Sequence, residues 1–229
     1  MDEFIYVCFT FDADVSADVA DAVSAVAASY ADDGPVSLTD GSPDPEAPDH
    51  AARPVSFRVG DIEYELGIGA PEMVDLDDER TAWVRVFGTD FHAPTAGTEA
   101  ASEHTDTLVS LVAATYETLV DDGCPVSYVY GFGPTEVQML RDGAIDIPDE
   151  QLAGPGVEAL FWLQILPPAR VSAVGRDRLL SSPAWRVEAL SDGGVLLVVY
   201  DAPDPWIDGD SSLLTDMMAH LDMEDPHEG

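Results

Sequence analysis

The sequence contains no lysine: its nine basic residues are all arginine. This absence excludes the chemistry that depends on a lysine amine. A Walker P-loop needs a lysine on the phosphates, and Schiff-base enzymes need a lysine nucleophile. The chain also lacks the GxGxxG, GxSxG, CxxC and HExxH patterns, which mark dinucleotide-binding, hydrolase and zinc sites. We therefore expect no cofactor and no metal site, and we favour a protein without enzymatic activity over an enzyme with a dispersed site.

Positive charge is scarce. Forty-five Asp and Glu stand against nine basic residues, which gives a formal net charge of −36 at pH 7, and the acids are spread along the whole chain. The Debye length is only ~3 Å in 1 M salt, so molar salt would screen their repulsion. We therefore expect a halophilic protein from a salt-adapted cell, such as a haloarchaeon. Nucleic-acid binding is not expected, because the phosphate backbone demands a broad basic surface.

Cysteines and long apolar runs are also few. Two cysteines, Cys8 and Cys124, cannot form a disulfide framework, and we expect both to be buried thiols because they lie in or beside apolar runs. No apolar run reaches the ~18–20 residues that cross a bilayer. The sequence opens with acids instead of the basic segment of a signal peptide. We expect a cytoplasmic protein without membrane association.

Hydrophobic residues make up 46% of the chain, enough for a large core. Strand-like alternation or apolar runs occur at 3–11, 36–38, 55–59, 62–66, 81–87, 158–166 and in two runs around Ser191–Gly194. Helical spacing occurs after residue 15, at 99–121, from Pro167 to about 180 and at 211–221. Residues 133–156 have an irregular, turn-rich pattern.

Hairpin signals are frequent in this order of elements, and a strict βαβ rhythm is missing. The order therefore predicts an α+β fold, with a mixed, mainly antiparallel sheet packed with about four helices. The length fits one large domain or two small ones. We expect a single domain over residues 1–229, with a split into two subdomains near residues 98–124 as the alternative.

The segment TDFHAP supplies the candidates for acid–base catalysis. Asp90 and His92 are two residues apart, so on an extended strand they would share a face, and the carboxylate would orient the imidazole. The alternative is a polar loop end in a chain where aspartate is common throughout.

The segment PPARVSAVGRDRLLSSPAWR holds nearly half of the positive charge. Its four arginines are Arg170, Arg176, Arg178 and Arg186. Arg170 and Arg178 are eight residues apart, which places them on roughly one face of a helix. These arginines either hold acids of their own chain in bidentate forks or form a contact site for an anionic group or a partner's acids. We favour the structural role for at least two of them.

The tryptophans divide in a similar way. Trp162 and Trp185 lie in predicted strands, and we expect both in the core. Trp206 lies in the proline-rich loop APDPWIDGD. It is a candidate interface anchor, and capping of the core is the alternative.

The half of the chain from about 108 to 222 resembles the type VI immunity family, small proteins found beside secreted toxins. The resemblance follows the order YVYGFG, GPGVEALFWLQIL, VGRDRLL, SDGGVLLVV and APDPWIDGD. The matching residues are Trp162, Leu163, Gly175, Leu179, Gly194, Leu196, Leu197, Pro203, Gly209 and Asp210. The resemblance implies an α+β protein without catalysis that binds and silences a partner.

These observations lead to one functional interpretation with two alternatives. The chain is expected to be a soluble, non-enzymatic binding protein with a protein partner. The alternatives are a subunit of a multiprotein assembly and a hydrolase with a dispersed carboxylate and histidine site. The sequence does not predict the oligomeric state.

Overall fold

The structure is a computed structural model, and it describes residues 4–12, 14–15, 17–32, 54–69, 80–91, 98–143, 154–157, 159–203 and 212–223. The predicted strand at 36–38, most of the first proline-rich loop, His92 and Trp206 lie outside these residues. No helix in the described ranges has the length and apolar character to span a bilayer.

One continuous antiparallel sheet forms the centre of the described structure. Its eight strands are β1 (Phe4–Phe11), β2 (Val55–Val59), β3 (Ile62–Ile68), β4 (Thr81–Phe87), β5 (Val126–Phe132), β6 (Leu163–Leu166), β7 (Arg186–Ala189) and β8 (Val195–Val198). Their order in the sheet is β2-β3-β4-β1-β5-β6-β8-β7. Every pair in this order is antiparallel. The predicted α+β class is confirmed, and whether the chain is a single domain stays a prediction.

Six α-helices are present in the described part of the chain. They are α1 (Ala17–Tyr30), α2 (Thr98–Asp121), α3 (Pro134–Arg141), α4 (Pro168–Val174), α5 (Arg176–Leu180) and α6 (Ser212–His220). A 3₁₀ turn, Gly88–Phe91, follows β4. Five of these helices correspond to the four helical patterns of the sequence, since α4 and α5 share one pattern, and α3 is the additional helix.

The long helices α1 and α2 cover one face of the sheet. Alternate residues of β1, such as Ile5 and Val7, join them in one buried cluster. Leu108, Val112 and Tyr116 supply the buried stripe of α2, as helical spacing predicts. The strands place the next residues, such as Tyr6 and Cys8, on the opposite face.

The opposite face is covered mainly over β1, β5, β6 and β8. There the shorter helices contribute Val137 of α3, Val171 of α4, Leu179 of α5 and Met217 of α6 to a second buried cluster. Cys8 and Cys124 are free, buried thiols, as predicted. Burial raises the pKa of the Cys8 thiol far above its ordinary value, and a hydrogen bond with Tyr130 only partly opposes this.

Helix α3 corrects part of the expectation that 133–156 is irregular, and residues 144–153 of this segment lie outside the described ones. Pro134 occupies the first turn of this helix, where its missing N–H costs nothing. The backbone N–H of Gly133 donates to the Glu136 carboxylate over 2.7 Å, and this hydrogen bond caps the N-terminus of the helix. The helix has only eight residues, so its periodic signal in the sequence is weak.

The predicted single helix from Pro167 to about 180 is also corrected. Gly175 adopts φ +105°, a conformation that side-chain-bearing residues rarely adopt, and it separates α4 from α5. Arg170 and Arg178 therefore belong to two helices and do not share one helix face.

The two tryptophans of the predicted strands differ in their exposure to solvent. Trp162 is 2% exposed, and its indole N–H donates to the carbonyl oxygen of Tyr200 over 3.1 Å. Trp185 is 40% exposed, so the expectation of a core position is wrong for it. It precedes β7 at the end of the sheet, where few neighbours are available to cover a large ring.

Candidate functional site: an arginine–aromatic platform

Part of the sheet face opposite α1 and α2 is left open by the described helices. On β3 the residues of the first core, Ile62 and Tyr64, alternate with Glu63 and Glu65, which point to this second face. Its exposed members include Ser56, Arg58, Glu63 and Phe87, and its half-buried members include Glu65, Trp83 and Arg85. This half of the face therefore remains accessible.

Arg85 lies in the middle of this open area. The strand register places it opposite Glu65 of β3 on one side and opposite Tyr6 of β1 on the other. Its Nε donates to Oε2 of Glu65 over 2.5 Å, and its Nη2 forms an ion pair with the same carboxylate. Its Nη1 donates to the Tyr6 hydroxyl oxygen over 3.0 Å. The guanidinium is thus held from both neighbouring strands.

Aromatic rings surround the same guanidinium. Its Cζ lies 4.6 Å from the ring centroid of Phe4, 5.5 Å from that of Trp83 and 5.7 Å from that of Tyr6. Phe87 extends the group, with its ring centroid 4.6 Å from that of Phe4. Distances below about 6 Å allow cation–π attraction. We call Phe4, Tyr6, Trp83, Arg85 and Phe87 the arginine–aromatic platform.

The electrostatics of the platform keep Arg85 charged. Burial lowers the pKa of Arg85, but the hydrogen bonds to Tyr6 and Glu65 outweigh it, and the net shift is upward. The Glu65 carboxylate neutralises the cation locally. The platform consequently combines a fixed, compensated charge with large apolar rings.

A glycine on β3 positions the indole. Gly67 is directly opposite Trp83 in the strand register, and a Cβ on Gly67 would overlap the indole ring. Only glycine permits this close approach of a ring to the neighbouring strand. Gly67 therefore allows Trp83 to lie across β3 beside Arg85.

Arg170 of the arginine-rich segment is turned into the protein. It is 5% exposed. Its Nε donates to the carbonyl oxygen of Ser127 over 3.1 Å, and its Nη1 donates to that of Gly156 over 2.8 Å. Its Cζ lies 4.2 Å from the ring centroid of Tyr128. Burial raises the pKa of Tyr128, and the charge of Arg170 opposes this rise.

The other three arginines of the segment have separate partners. Arg176 donates to the carbonyl oxygen of Gly193 over 2.6 Å, and Nη2 of Arg178 lies 2.7 Å from Oδ2 of Asp222. Arg186 forms ion pairs with Glu188 and Asp106. The four arginines therefore lie on three elements, α4, α5 and β7, and each has its own partners.

Asp90 does not lie on an extended strand, because it belongs to the 3₁₀ turn after β4. His92 lies outside the described residues, so the expected pairing of Asp90 with His92 stays a prediction. Asp90 contacts His104 of α2, whose Nδ1 is 2.7 Å from the Asp90 carbonyl oxygen. That nitrogen must carry the proton, because a carbonyl oxygen only accepts. Nε2 of His104 faces Oδ1 of Asp61 at 3.4 Å.

This histidine group is a weaker candidate for function than the platform. Burial raises the pKa of the Asp90 carboxyl, His104 opposes the rise, and Asp61 adds to it. Within the described ranges no set of three or more His, Cys, Asp or Glu side chains is arranged to hold a metal ion. The group orients one imidazole and supplies no nucleophile.

Comparison with known proteins does not assign a family. No protein-family model matches the chain, and no curated protein matches it. One solved structure that resembles it is the Pseudomonas aeruginosa T6SS protein PA0821, with 11% sequence identity and a TM-score of 0.45. The superposition covers 99% of this chain and 76% of that one. This likeness is too remote to assign a fold family or a function, and the resemblance to the immunity family stays a prediction.

Sequence reasoning missed the platform, although part of its signal is visible. In TAWVRVF the alternation places Trp83, Arg85 and Phe87 on one face of a strand, and in FIY it does the same for Phe4 and Tyr6. An arginine between aromatic residues on the polar face of a strand is an available hint. The pairing of β1 and β3 with β4, which brings these residues together, has no local sequence signal.

Proposed function

We propose that this chain is a non-enzymatic binding protein that holds a partner protein on the arginine–aromatic platform. The observation that carries the proposal is the fixed arrangement of the half-buried Trp83 and Arg85 on an open sheet face, with Arg85 anchored from below by the buried Tyr6. Tryptophan and arginine are among the residue types that dominate the binding energy of protein interfaces. Phe87, which is 39% exposed, offers further apolar area at the margin.

The rigidity of the platform supports binding. Arg85 is held by Glu65 and Tyr6, and Trp83 is positioned against Gly67. Side chains that are already ordered lose little rotamer freedom when a partner arrives, which reduces the cost of association. The platform is therefore organised before any partner binds.

The near-neutral charge of the platform face favours a partner protein that is itself acidic. On this face Arg58 and Arg85 balance Glu63 and Glu65, whereas the whole chain has 45 acids against 9 basic residues. A partner that is itself acidic is repelled by most of the surface and least by this area. The resemblance of the sequence to immunity proteins favours the same class of function.

A dispersed hydrolase site has less support. The Glu65 carboxylate is engaged by Arg85, and the His104 group provides an oriented imidazole without a nucleophile. A subunit of a larger assembly would use the platform in the same manner, so the two binding interpretations share one test.

The test is affinity capture with the purified chain from its native cell extract at about 2 M KCl, where surface charges are screened. Phe87→Ser removes exposed apolar area with little effect on the core, and we expect it to lower recovery of the captured protein about tenfold or more. Leu180→Ser is the matched control, since Leu180 is 40% exposed and lies on α5, which packs beside β7 and β8.

Binding constants for the captured protein, once purified, complete the test. We expect the Leu180→Ser variant to bind as the wild type does. Equal affinity of the Phe87→Ser, Arg85→Gln and wild-type proteins, with all three folded by circular dichroism, would overturn the proposal.

A further inference from the structure

Strand β7 forms one end of the sheet in the described part of the chain. It pairs with β8 along one edge, and the sheet order ends with it. An unpaired strand edge is a template for another strand. The two charged side chains of β7 remain accessible, with 31% of the Arg186 side chain and 46% of the Glu188 side chain exposed.

A large aromatic residue stands beside this edge. Trp185 is 40% exposed, and its backbone N–H donates to the carbonyl oxygen of Val199 over 3.1 Å, which ties it to the chain beyond β8. Tryptophan is enriched among the residues that anchor protein contacts. The edge therefore combines unpaired backbone with exposed aromatic area.

We propose that two copies of this chain associate through β7, edge to edge, about a two-fold axis centred on Val187. In such an antiparallel pairing, residues at equal distances on either side of Val187 face each other. Arg186 of each copy then lies opposite Glu188 of the other, which gives two reciprocal ion pairs. Trp185 lies opposite the small Ala189 of the second copy, so the bulky ring has room.

The charges of β7 select this register over its neighbours. A two-fold axis centred on Arg186 would set the two arginines against each other, and one centred on Glu188 would oppose the two carboxylates. Like charges directly opposite each other destabilise a strand pair, and opposite charges stabilise it. The sequence Arg-Val-Glu is thus self-complementary only when Val187 is at the centre.

The present partners of Arg186 are compatible with this arrangement. Within one chain its Nη2 is 2.9 Å from the Glu188 carboxylate and its Nη1 is 3.5 Å from that of Asp106. Exposed pairs of this kind are weak and rearrange easily. In the dimer, Arg186 and Glu188 of both copies form one four-membered network along the new seam.

Salt decides whether two such acidic chains can approach. Each copy carries a formal net charge of −36, so long-range repulsion opposes association at low ionic strength. The screening length falls from ~10 Å at 0.1 M to ~3 Å at 1 M salt. We therefore expect the dimer to form in molar KCl and to dissociate as the salt is diluted.

Charge reversal with rescue tests the register. Sedimentation velocity at about 2 M KCl, over protein concentrations from about 1 to 100 μM, measures the dimer dissociation constant. Arg186→Glu places carboxylates opposite each other, and we expect it to weaken the dimer about tenfold or more. Adding Glu188→Arg to the same chain exchanges the charges, and we expect affinity to return to within about threefold of the wild type.

A charge reversal outside the strand is the control for net charge. Arg58→Glu changes the net charge by the same amount as Arg186→Glu and lies exposed on β2, at the opposite end of the sheet from β7, so we expect it to leave the dimer unchanged. A wild type that stays monomeric at about 100 μM would overturn the proposal. So would a double variant that remains as weak as Arg186→Glu while circular dichroism shows both to be folded.

Cross-linking provides a second measurement at the axis itself. Facing α-carbons in an antiparallel pair are about 4.5–5.5 Å apart, within the 4.4–6.8 Å range of a disulfide. Val187→Cys should therefore give a covalent dimer on mild oxidation, while Ser56→Cys, exposed on β2 at the other end of the sheet, should not. The natural Cys8 and Cys124 are buried and do not compete. No covalent dimer from a folded Val187→Cys protein would contradict the register.

Discussion

The indole ring of Trp83 lies directly over Gly67 on the neighbouring strand. The missing side chain at position 67 is what permits this contact, because any Cβ there would overlap the ring. One backbone position on β3 therefore controls the placement of an aromatic residue on β4. Through Trp83 it also controls the space beside Arg85.

Gly67→Ala should disturb the platform without removing any of its members. The added methyl forces the indole or the strand to move, and overpacking of this kind costs about 1–3 kcal/mol. Denaturant melts measure the cost, and near-ultraviolet circular dichroism reports the tryptophan environment. In a Trp83→Leu background the same change should cost much less, and an equal cost in both backgrounds would show that the contact does not matter.

Arg85→Gln should lower stability and partner capture together. The change leaves the half-buried Glu65 carboxylate without its cation and removes the donor to the Tyr6 hydroxyl. Loss of hydrogen bonds to charged groups costs about 1.5–3 kcal/mol. Denaturant melts at constant high salt measure this cost.

The matched control for Arg85 is Arg80→Gln, immediately before the same strand. The ion pair between Arg80 and Asp14 is exposed, with side chains 50% and 68% accessible. Exposed pairs contribute about 0–1 kcal/mol. A loss for Arg80→Gln as large as that for Arg85→Gln would show that the platform adds nothing beyond a surface charge.

The arginines of the arginine-rich segment should contribute unequally to stability, with the buried Arg170 contributing most and the exposed Arg176 and Arg178 contributing least. Arg170→Gln removes a buried cation that donates to two backbone carbonyl oxygens, and we expect a loss of about 1.5–3 kcal/mol. Arg176→Gln and Arg178→Gln remove exposed contacts, for which we expect less than about 1 kcal/mol. Thermal melts of the three variants at the same salt concentration compare them, and equal losses would contradict this order.

Stability should rise steeply with salt if the chain is adapted to a salt-rich cytoplasm. The self-repulsion of a −36 chain is largely screened between about 0.1 and 2 M KCl. Circular dichroism melts over this range, at one protein concentration below the dimer range, give the midpoint temperature. A midpoint that does not move with KCl would end the halophilic interpretation.

The Asp90 carboxyl should make a pH-dependent contribution. Burial raises the pKa of Asp90 in the folded state, so the folded chain binds this proton more tightly than the unfolded chain. The favourable contribution is then complete below the unfolded pKa of about 3.9 and is lost as pH rises through the folded pKa. Asp90→Asn should therefore stabilise the protein most near neutral pH, with no gain in strong acid.

Urea melts from about pH 3 to pH 8 at constant ionic strength measure the contribution of Asp90. Asp21→Asn, an exposed change on α1, removes the same formal charge and serves as the control. If Asp21→Asn gives the same gain as Asp90→Asn, the effect is one of net charge and does not arise from the burial of Asp90.

Patterns that repeat within one element predicted the corresponding parts of the fold. The aromatic and β-branched run at 3–11 became β1, and the two alternating runs around Gly60 became the hairpin of β2 and β3. Gly60 itself adopts φ +62° in the turn, as a hairpin of this kind requires. The spacing at 99–121 became α2 almost residue for residue.

The remaining features depend on contacts between elements, which local patterns do not encode. Trp185 lies in a run of residues typical of a core strand. In the described part of the chain, however, β7 is the outermost strand at one end of the sheet, so the ring is left exposed. The helix break at Gly175 depends on a backbone angle that composition alone does not set. Arg85 acquires its surroundings only when β1 and β3 join β4, which is why the sequence pointed to the arginines of 170–186 instead.

The interior position of β1 has a consequence for how the chain acquires its structure. Residues 4–11 are flanked in the sheet by β4 and β5, which begin at Thr81 and Val126. During synthesis this apolar strand emerges long before either neighbour, so its pairing in the sheet is delayed until both neighbouring strands have been made. Pairings of such large sequence separation are slow to form and leave apolar segments open to aggregation meanwhile. Refolding should therefore be limited by the docking of β1, and a chaperone that protects this strand would raise the yield of native protein.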